Sequence, residues 1–166
     1  IAQLPKKGKI TSEKENKTLG YKELTLSNGA RVLLKKTDFK DDEVVIDATS
    51  KGGSSLLGDE DIVNAKVFDM AIGASGLGNF SNTELEKALA GKQANANLQL
   101  FNLHEGLSGS STPKDLETLF QLTYLYFTDV RKDEKSFAQL MTTLETMLKN
   151  QALSPDAAFS DSLMST

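Results

Sequence analysis

The stretch QANANLQLFNLHEGLSGSS, residues 93–111, decides the fold. In its first half, small or apolar residues alternate with amides. The two sets project to opposite sides, with Ala94, Ala96, Leu98 and Leu100 on one and Asn95, Asn97 and Gln99 on the other. This period of two predicts a half-buried β-strand. LSGSS, residues 107–111, predicts a second strand of small residues, and His104-Glu105-Gly106 predicts the hairpin turn between them.

An earlier stretch, YKELTLSNGARVLLKK at residues 21–36, predicts another hairpin. Leu24 and Leu26 alternate with polar residues, and so do Val32 and Leu34 on the other side of an Asn-Gly pair. That pair favours the positive φ angles of a tight turn. The β-branched segment 43–50 predicts a third strand.

Four segments carry helical signals. In residues 61–75 the predicted core face is Val63, Val67, Met70, Ala71 and Ala74. Ser81 and Glu84 have capping-box spacing, and Gly91 marks the end of that short helix. Thr112 and Pro113 open a third helix, whose predicted core stripe consists of Leu116, Leu119, Phe120 and Phe127, widened by Leu122, Leu125 and Tyr126. The pattern of residues 131–150 predicts a fourth helix, which is amphipathic.

This order of elements predicts an α+β fold with two layers, in which helices cover one face of an antiparallel sheet. The predicted limits are a lead-in or linker over residues 1–20, a single domain over 21–153, and the start of a truncated helix over 154–166. The chain begins without Met, and both ends are abrupt, so we expect a fragment of a longer protein.

The composition excludes several classes of function. The 166 residues carry a net charge of −4 and no cysteine. Disulfides and thiolate metal sites are therefore excluded. The chain has no basic stripe with interleaved aromatic residues, so no nucleic-acid partner is predicted. It also has no apolar run of the ~20 residues that a membrane span needs.

His104, the one histidine of the chain, does not fit a zinc-peptidase motif. The motif H-E-x-x-H needs a second histidine four residues later, where Ser108 stands. The inverted motif H-x-x-E-H needs a glutamate three residues later, where Leu107 stands. A serine hydrolase that uses His104 is a weaker alternative, because Gly106 to Gly109 is one residue short of the G-x-S-x-G frame.

Two longer segments together carry a family resemblance. LTLSNGARVLLKKTDFKDDEVVIDATSKGGSSLL, residues 24–57, and the continuous segment from SGLGNFSNTELEKALAG to FTDVRKDEKSF, residues 75–137, resemble a domain of the insulinase-pitrilysin zinc metallopeptidases. The resemblance covers residues 20–160 and implies a fold of the metallopeptidase-domain type, like that of LuxS and the processing peptidases. Large members of this family resemble a clamshell of four related α+β domains, one of which carries H-x-x-E-H.

The resemblance implies that this chain is a non-catalytic copy of that domain. The position of the motif helix is occupied by Ala65, Lys66, Val67, Phe68 and Asp69, without histidine. The expected fragment therefore holds no metal and has no catalytic residue of its own. Zinc belongs to the catalytic domain of a parent endopeptidase, which the resemblance places in the bacterial periplasm or cell envelope.

The resemblance also implies one binding feature. In catalytic domains of the family, an edge strand beginning with an Asn-Ala step pairs with extended substrate by β-augmentation. The corresponding residues here are Gln93, Ala94, Asn95, Ala96, Asn97 and Leu98. The alternative is that this is simply a sheet strand buried by its neighbours.

Sister domains of the same chain and the peptide substrates of the parent are the expected partners. Surfaces that meet sister domains in the parent are expected to favour a homodimer of the fragment. The alternative function is a stand-alone, inactive family member that serves as a structural or partner-pairing module.

Overall fold

The computed structural model describes residues 5–153. The chain divides into two compact units, which meet in sequence at Glu43 and Val44. This division differs from the predicted domain limits, which placed residues 21–153 in a single domain. The helix predicted for 154–166 lies outside the described residues.

The first unit contains a three-stranded antiparallel sheet in the order β1-β2-β3. Its strands are β1 (Ile10–Asn16), β2 (Tyr21–Leu26) and β3 (Arg31–Leu34). The predicted hairpin is β2-β3, and Gly29 has the positive φ of 86° that the turn requires. The linker prediction missed β1, because this strand is mostly exposed and lacks an apolar alternation.

The second unit contains a sheet in the order β4-β6-β5, in which both pairings are antiparallel. The strands are β4 (Val44–Lys51), β5 (Ala94–Leu100) and β6 (His104–Ser111). Four helices accompany them: α1 (Ile62–Ser75), α2 (Asn82–Ala88), α3 (Leu116–Thr128) and α4 (Glu134–Ala152). Short 3-10 helices span Gly53–Leu56, Asp59–Asp61 and Pro113–Asp115. The predicted α+β class, with an antiparallel sheet and helices packed on it, is confirmed.

The core of the second unit lies between α3 and the strands β5 and β6. Its buried apolar side chains are Leu77, Ala96, Leu107, Leu119 and Leu122. These side chains belong to α3, to β5 and β6, and to the segment that links α1 to α2. α3 covers the face of β5 that carries the even-numbered residues. The asparagines of β5, on the opposite face, are exposed.

Two predicted core stripes differ from the observed ones. On α3, Leu119 and Leu122 are buried, whereas Phe120 and Phe127 are more than half exposed. On α1, Val63 and Met70 are exposed as well. Both helices contain apolar residues on more than one face, so their sequence periodicity does not decide which face packs on the sheet.

The hairpin between β5 and β6 turns at residues 101–103, and His104 already belongs to β6. The prediction that His104-Glu105-Gly106 forms the turn is therefore wrong. The His104 ring stacks on Phe101 with centroids 4.4 Å apart. The backbone of Phe101 also donates to the His104 carbonyl over 2.9 Å, so the turn closes two residues earlier than the glycine suggests.

The start of the Gly53–Leu56 helix is bonded to this turn. Gly52 donates its N–H to the carbonyl of Leu103, and Ser54 donates to the carbonyl of Phe101. The carboxylate of Glu105 accepts the N–H of Gly53. These bonds join the segment after β4 to the tip of the β5-β6 hairpin.

Candidate functional site: the free edge of β5

β5 is an edge strand, because it pairs with β6 on one side and no described residue pairs with its other side. Thr112 donates to the carbonyl of Gln93, and Phe101 donates to the carbonyl of His104. In an antiparallel pair, hydrogen-bonded positions alternate with non-bonded ones. The odd-numbered residues of β5 therefore bond to β6. The backbone N–H and C=O groups of the even-numbered residues point to the free edge, namely those of Ala94, Ala96, Leu98 and Leu100.

The capping chemistry at the start of α3 positions this edge. Thr112 caps the 3-10 turn that leads into α3 by accepting from the N–H of Asp115. Asp115 in turn accepts the N–H of Gln93 over 2.9 Å, and this hydrogen bond holds the pKa of the Asp115 carboxyl below its ordinary value. Ser81 and Glu84 form the predicted capping box of α2.

A large, mainly apolar cavity of about 760 Å³ lies between the sheet and the helices α1 and α3. We call it the apolar cavity. Its walls come from all three strands, from α1 and from the C-terminal end of α3, and include Ala65, Phe68, Leu98, Leu100 and Tyr126. Burial raises the pKa of the Tyr126 phenol, which keeps it neutral.

A second space of about 360 Å³, the small cavity, lies where α1 passes β5. Its walls include Asp69 and Gly73 of α1 and the successive residues 97–99 of β5. Because successive side chains of a strand point to opposite faces, a cavity lined by three of them reaches the strand edge itself. Leu98, Gln99 and Tyr126 line both cavities.

The six residues predicted for peptide binding are distributed unevenly around these cavities. Leu98 lines both, and Asn97 lines the small cavity. Gln93 precedes β5, where its backbone is bonded to Thr112 and Asp115. The remaining three residues belong to β5 but line neither cavity, namely Ala94, Asn95 and Ala96.

Sequence reasoning missed the contribution of α1. Asp61, Asn64, Ala65 and Phe68 of the segment 61–68 line the apolar cavity, and Asp69 lines the small one. The predicted core face of this helix used other residues. A signal for these residues is present in the sequence. Positions 61, 64, 65 and 68 have the i, i+3, i+4, i+7 spacing of one helix face.

The residues present on α1 do not fit a zinc ion. Catalytic zinc takes three protein ligands, usually imidazole or carboxylate. The segment 65–69 that corresponds to the motif offers a single such side chain, Asp69. Within the described part of the chain, no three His, Asp or Glu side chains are grouped so that they could hold a metal.

Comparison with known proteins places the chain within much longer relatives. No known protein-family profile matches it. It is 29% identical over 162 residues to a zinc protease PQQL-like protein of Arabidopsis thaliana, a match that spans 97% of this chain and 14% of that protein. The chain therefore spans about one seventh of the length of this relative.

Solved structures share the fold. The ferredoxin protease FusC, solved as a mutant in complex with Arabidopsis ferredoxin, superposes with a TM-score of 0.80 at 20% identity, over 97% of this chain and 18% of FusC. The periplasmic protease PqqL of Escherichia coli gives 0.75 at 23% identity, over 95% and 17%. A protease of Helicobacter pylori gives 0.62 at 15% identity, over 83% and 33%. The predicted resemblance to a domain of insulinase-like zinc proteases is confirmed.

Proposed function

We propose that this chain is a non-catalytic, substrate-enclosing domain of a larger zinc-dependent metalloendopeptidase. Its role is to form part of the wall of a peptide chamber. The observation that carries the proposal is the free edge of β5, whose outward backbone groups adjoin two cavities. The similarity to a zinc protease along 97% of the chain supports the identity of the parent.

Strand addition is the binding mode that such an edge favours. An extended peptide that pairs with β5 would receive main-chain hydrogen bonds from the even-numbered residues, irrespective of its sequence. The predicted segment Gln93–Leu98 contains three of these residues, and Leu100 adds a fourth. The wall is therefore suited to holding unfolded peptide rather than to recognising one folded partner.

Catalysis belongs to another domain of the parent in this proposal. Because α1 lacks histidine and does not fit zinc, no hydrolytic step is assigned to the residues of this chain. Sister domains of the parent are its proposed partners, in keeping with the small share of each relative that it spans.

The proposed compartment of the parent is the bacterial periplasm or cell envelope. PqqL, a structural neighbour of the chain, is a periplasmic protease. No helix in residues 5–153 combines the length and apolar character that crossing a membrane requires.

A metal and turnover assay tests the non-catalytic role. The purified 166-residue protein is expected to contain no stoichiometric zinc by elemental analysis and to leave unstructured peptides uncut. Stoichiometric zinc, or peptide cleavage that a chelator abolishes, would contradict the proposal.

Hydrogen exchange tests strand addition residue by residue. An unstructured peptide is expected to slow the exchange of the outward amides of Ala96, Leu98 and Leu100. The amides of Asn97 and Gln99 provide an internal control, since they already bond to β6. Equal protection of both sets would indicate general stabilisation instead of pairing at the edge.

A further inference from the structure

The apolar cavity and the small cavity adjoin along one stretch of β5. Both are lined by Leu98 and Gln99, and Tyr126 of α3 borders each of them. A peptide strand added at this stretch would therefore lie beside both cavities. The chemistry of the two cavities then specifies which side chains the peptide carries.

The alternation of side chains assigns peptide positions to cavities. Successive residues of an added strand point to opposite faces of the sheet, as do those of β5. One peptide side chain would lie on the face of Leu98 and Leu100, where the apolar cavity opens. Its neighbour would lie on the face of Asn97 and Gln99, both of which line the small cavity together with Asp69.

The walls of the apolar cavity are suited to a large apolar side chain. Phe68, Leu98 and Leu100 line it together with Ala65 and Tyr126. The volume of about 760 Å³ leaves room for an aromatic ring. Burial of such a side chain is favourable roughly in proportion to the apolar area removed from water.

Charge complementarity decides the neighbouring position. The charged residues that line the two cavities are Asp61 and Glu105 in the apolar one and Asp69 in the small one. All three are acidic, and no lysine or arginine of the described residues lines either cavity. A cationic side chain beside Asp69 is therefore favoured, and an anionic one is disfavoured.

We propose that the β5 edge selects extended peptide segments in which a large apolar residue is followed or preceded directly by lysine or arginine. The apolar side chain occupies the apolar cavity, and the cation lies beside Asp69 in the small cavity. This specificity rests on the proposed strand addition and deepens it, because it names the class of peptide that the edge binds.

The experiment uses the 166-residue chain and fluorescently labelled peptides of threonine and serine with a central Phe-Lys pair. Binding is measured by fluorescence anisotropy at low ionic strength. Replacing the central phenylalanine with serine is expected to weaken binding about tenfold or more. Replacing the lysine with glutamate is expected to weaken it about two- to fivefold, and added salt to remove this difference.

Two variants locate the effect on the protein. Ala65→Trp fills the apolar cavity and is expected to remove the preference for phenylalanine over serine. Asp69→Asn is expected to remove the preference for lysine over glutamate. Glu86→Gln, on an exposed turn of α2 outside both cavities, is the matched control and keeps both preferences. Circular dichroism melting verifies that each variant is folded.

The outcomes separate this inference from the strand addition on which it rests. A peptide with N-methylated backbone amides tests pairing alone and is expected not to bind. If N-methylation abolishes binding while the serine and glutamate peptides bind as well as the parent peptide, the specificity is overturned and strand addition is retained. If N-methylation has no effect, or no peptide binds at millimolar concentration, strand addition and the specificity are both overturned.

Discussion

Asp115, just before α3, accepts a hydrogen bond of 2.9 Å from the backbone N–H of Gln93, the residue that precedes β5. The Lys92 ammonium lies 3.2 Å from the other oxygen of the same carboxylate. Asp115 is only 5% exposed. A single carboxylate thus links the N-terminal end of β5 to α3, the helix that covers it.

Removing this carboxylate is expected to loosen β5. Asp115→Ala leaves the Gln93 N–H and the Lys92 ammonium without their partner, so we expect a fall of several degrees in Tm. Amide exchange in β5 should accelerate more than exchange in β2. Glu117→Ala, which removes an exposed carboxylate from the next turn, is the control. Equal melting temperatures for the two variants would contradict this role of Asp115.

The same contact predicts a pH dependence. The hydrogen bond from Gln93, assisted by Lys92 and the Thr112 hydroxyl, holds the pKa of Asp115 below its ordinary value. Because the folded-state pKa is lower than that of the unfolded chain, the stabilisation is complete above the unfolded-state pKa. It is lost as the pH falls through that pKa toward the folded-state one.

Thermal melting between about pH 5 and pH 2 measures this loss. The Tm of the unmodified protein is expected to fall more steeply with acidification than that of Asp115→Asn, which cannot titrate at this position. Glu84 and Asp133 also have lowered pKa values, so the variant keeps part of the slope. Parallel curves for the two proteins would refute the contribution of Asp115.

Gly53 is expected to tolerate no side chain. Its φ is +63°, and an added Cβ would collide with the Phe101 carbonyl and the His104 backbone. Gly91 also has a positive φ, +79°, but an added Cβ there meets nothing within 4 Å. Gly91→Ala should therefore cost only the backbone strain, roughly 1–2 kcal/mol.

Gly53→Ala adds the steric collision to that strain and should cost about 1–3 kcal/mol more. Urea unfolding of the two variants measures the difference directly. A similar free energy of unfolding for both would mean that the Gly53 segment is not held against the hairpin turn as described.

Leu107 belongs to the core of the second unit and is fully buried in the middle strand of the sheet. Leu107→Ala is expected to lower the free energy of unfolding by about 2–5 kcal/mol. Val45→Ala on β4, where the side chain is 69% exposed, should change it by less than about 0.5 kcal/mol. Denaturant titration of both variants tests this contrast.

Alternation and capping signals predicted the elements that depend on interactions between residues close in sequence. β5 alternates strictly between apolar residues and amides, and the Ser81–Glu84 capping box is formed by residues close in sequence. Both were found where the sequence placed them. The family resemblance also followed from continuous sequence, and the antiparallel sheet with its helices agrees with it.

Features that depend on tertiary packing were not predictable in the same way. The mostly polar sequence of β1 carries no strand signal, because this strand is held by its backbone pairing with β2 and not by an apolar alternation. The turn at residues 101–103 is selected by contacts with Gly52 and Ser54, which are about fifty residues away. The cavity-lining face at the start of α1, which includes Asp61 and Asn64, is more polar than the predicted face, and its contact with the sheet could not be read from the sequence.

The seven residues of β5, ANANLQL, include no charge and no proline. Exposed sheet edges in most proteins carry such residues, which discourage the edges of separate molecules from joining. Within a larger protease, the neighbouring domains would separate the β5 edge from other molecules. In the isolated chain, it is expected to promote aggregation as concentration rises. A lysine introduced on the exposed face at Asn95 should then improve solubility, which makes the colloidal behaviour of the purified protein a reporter of whether this edge is covered.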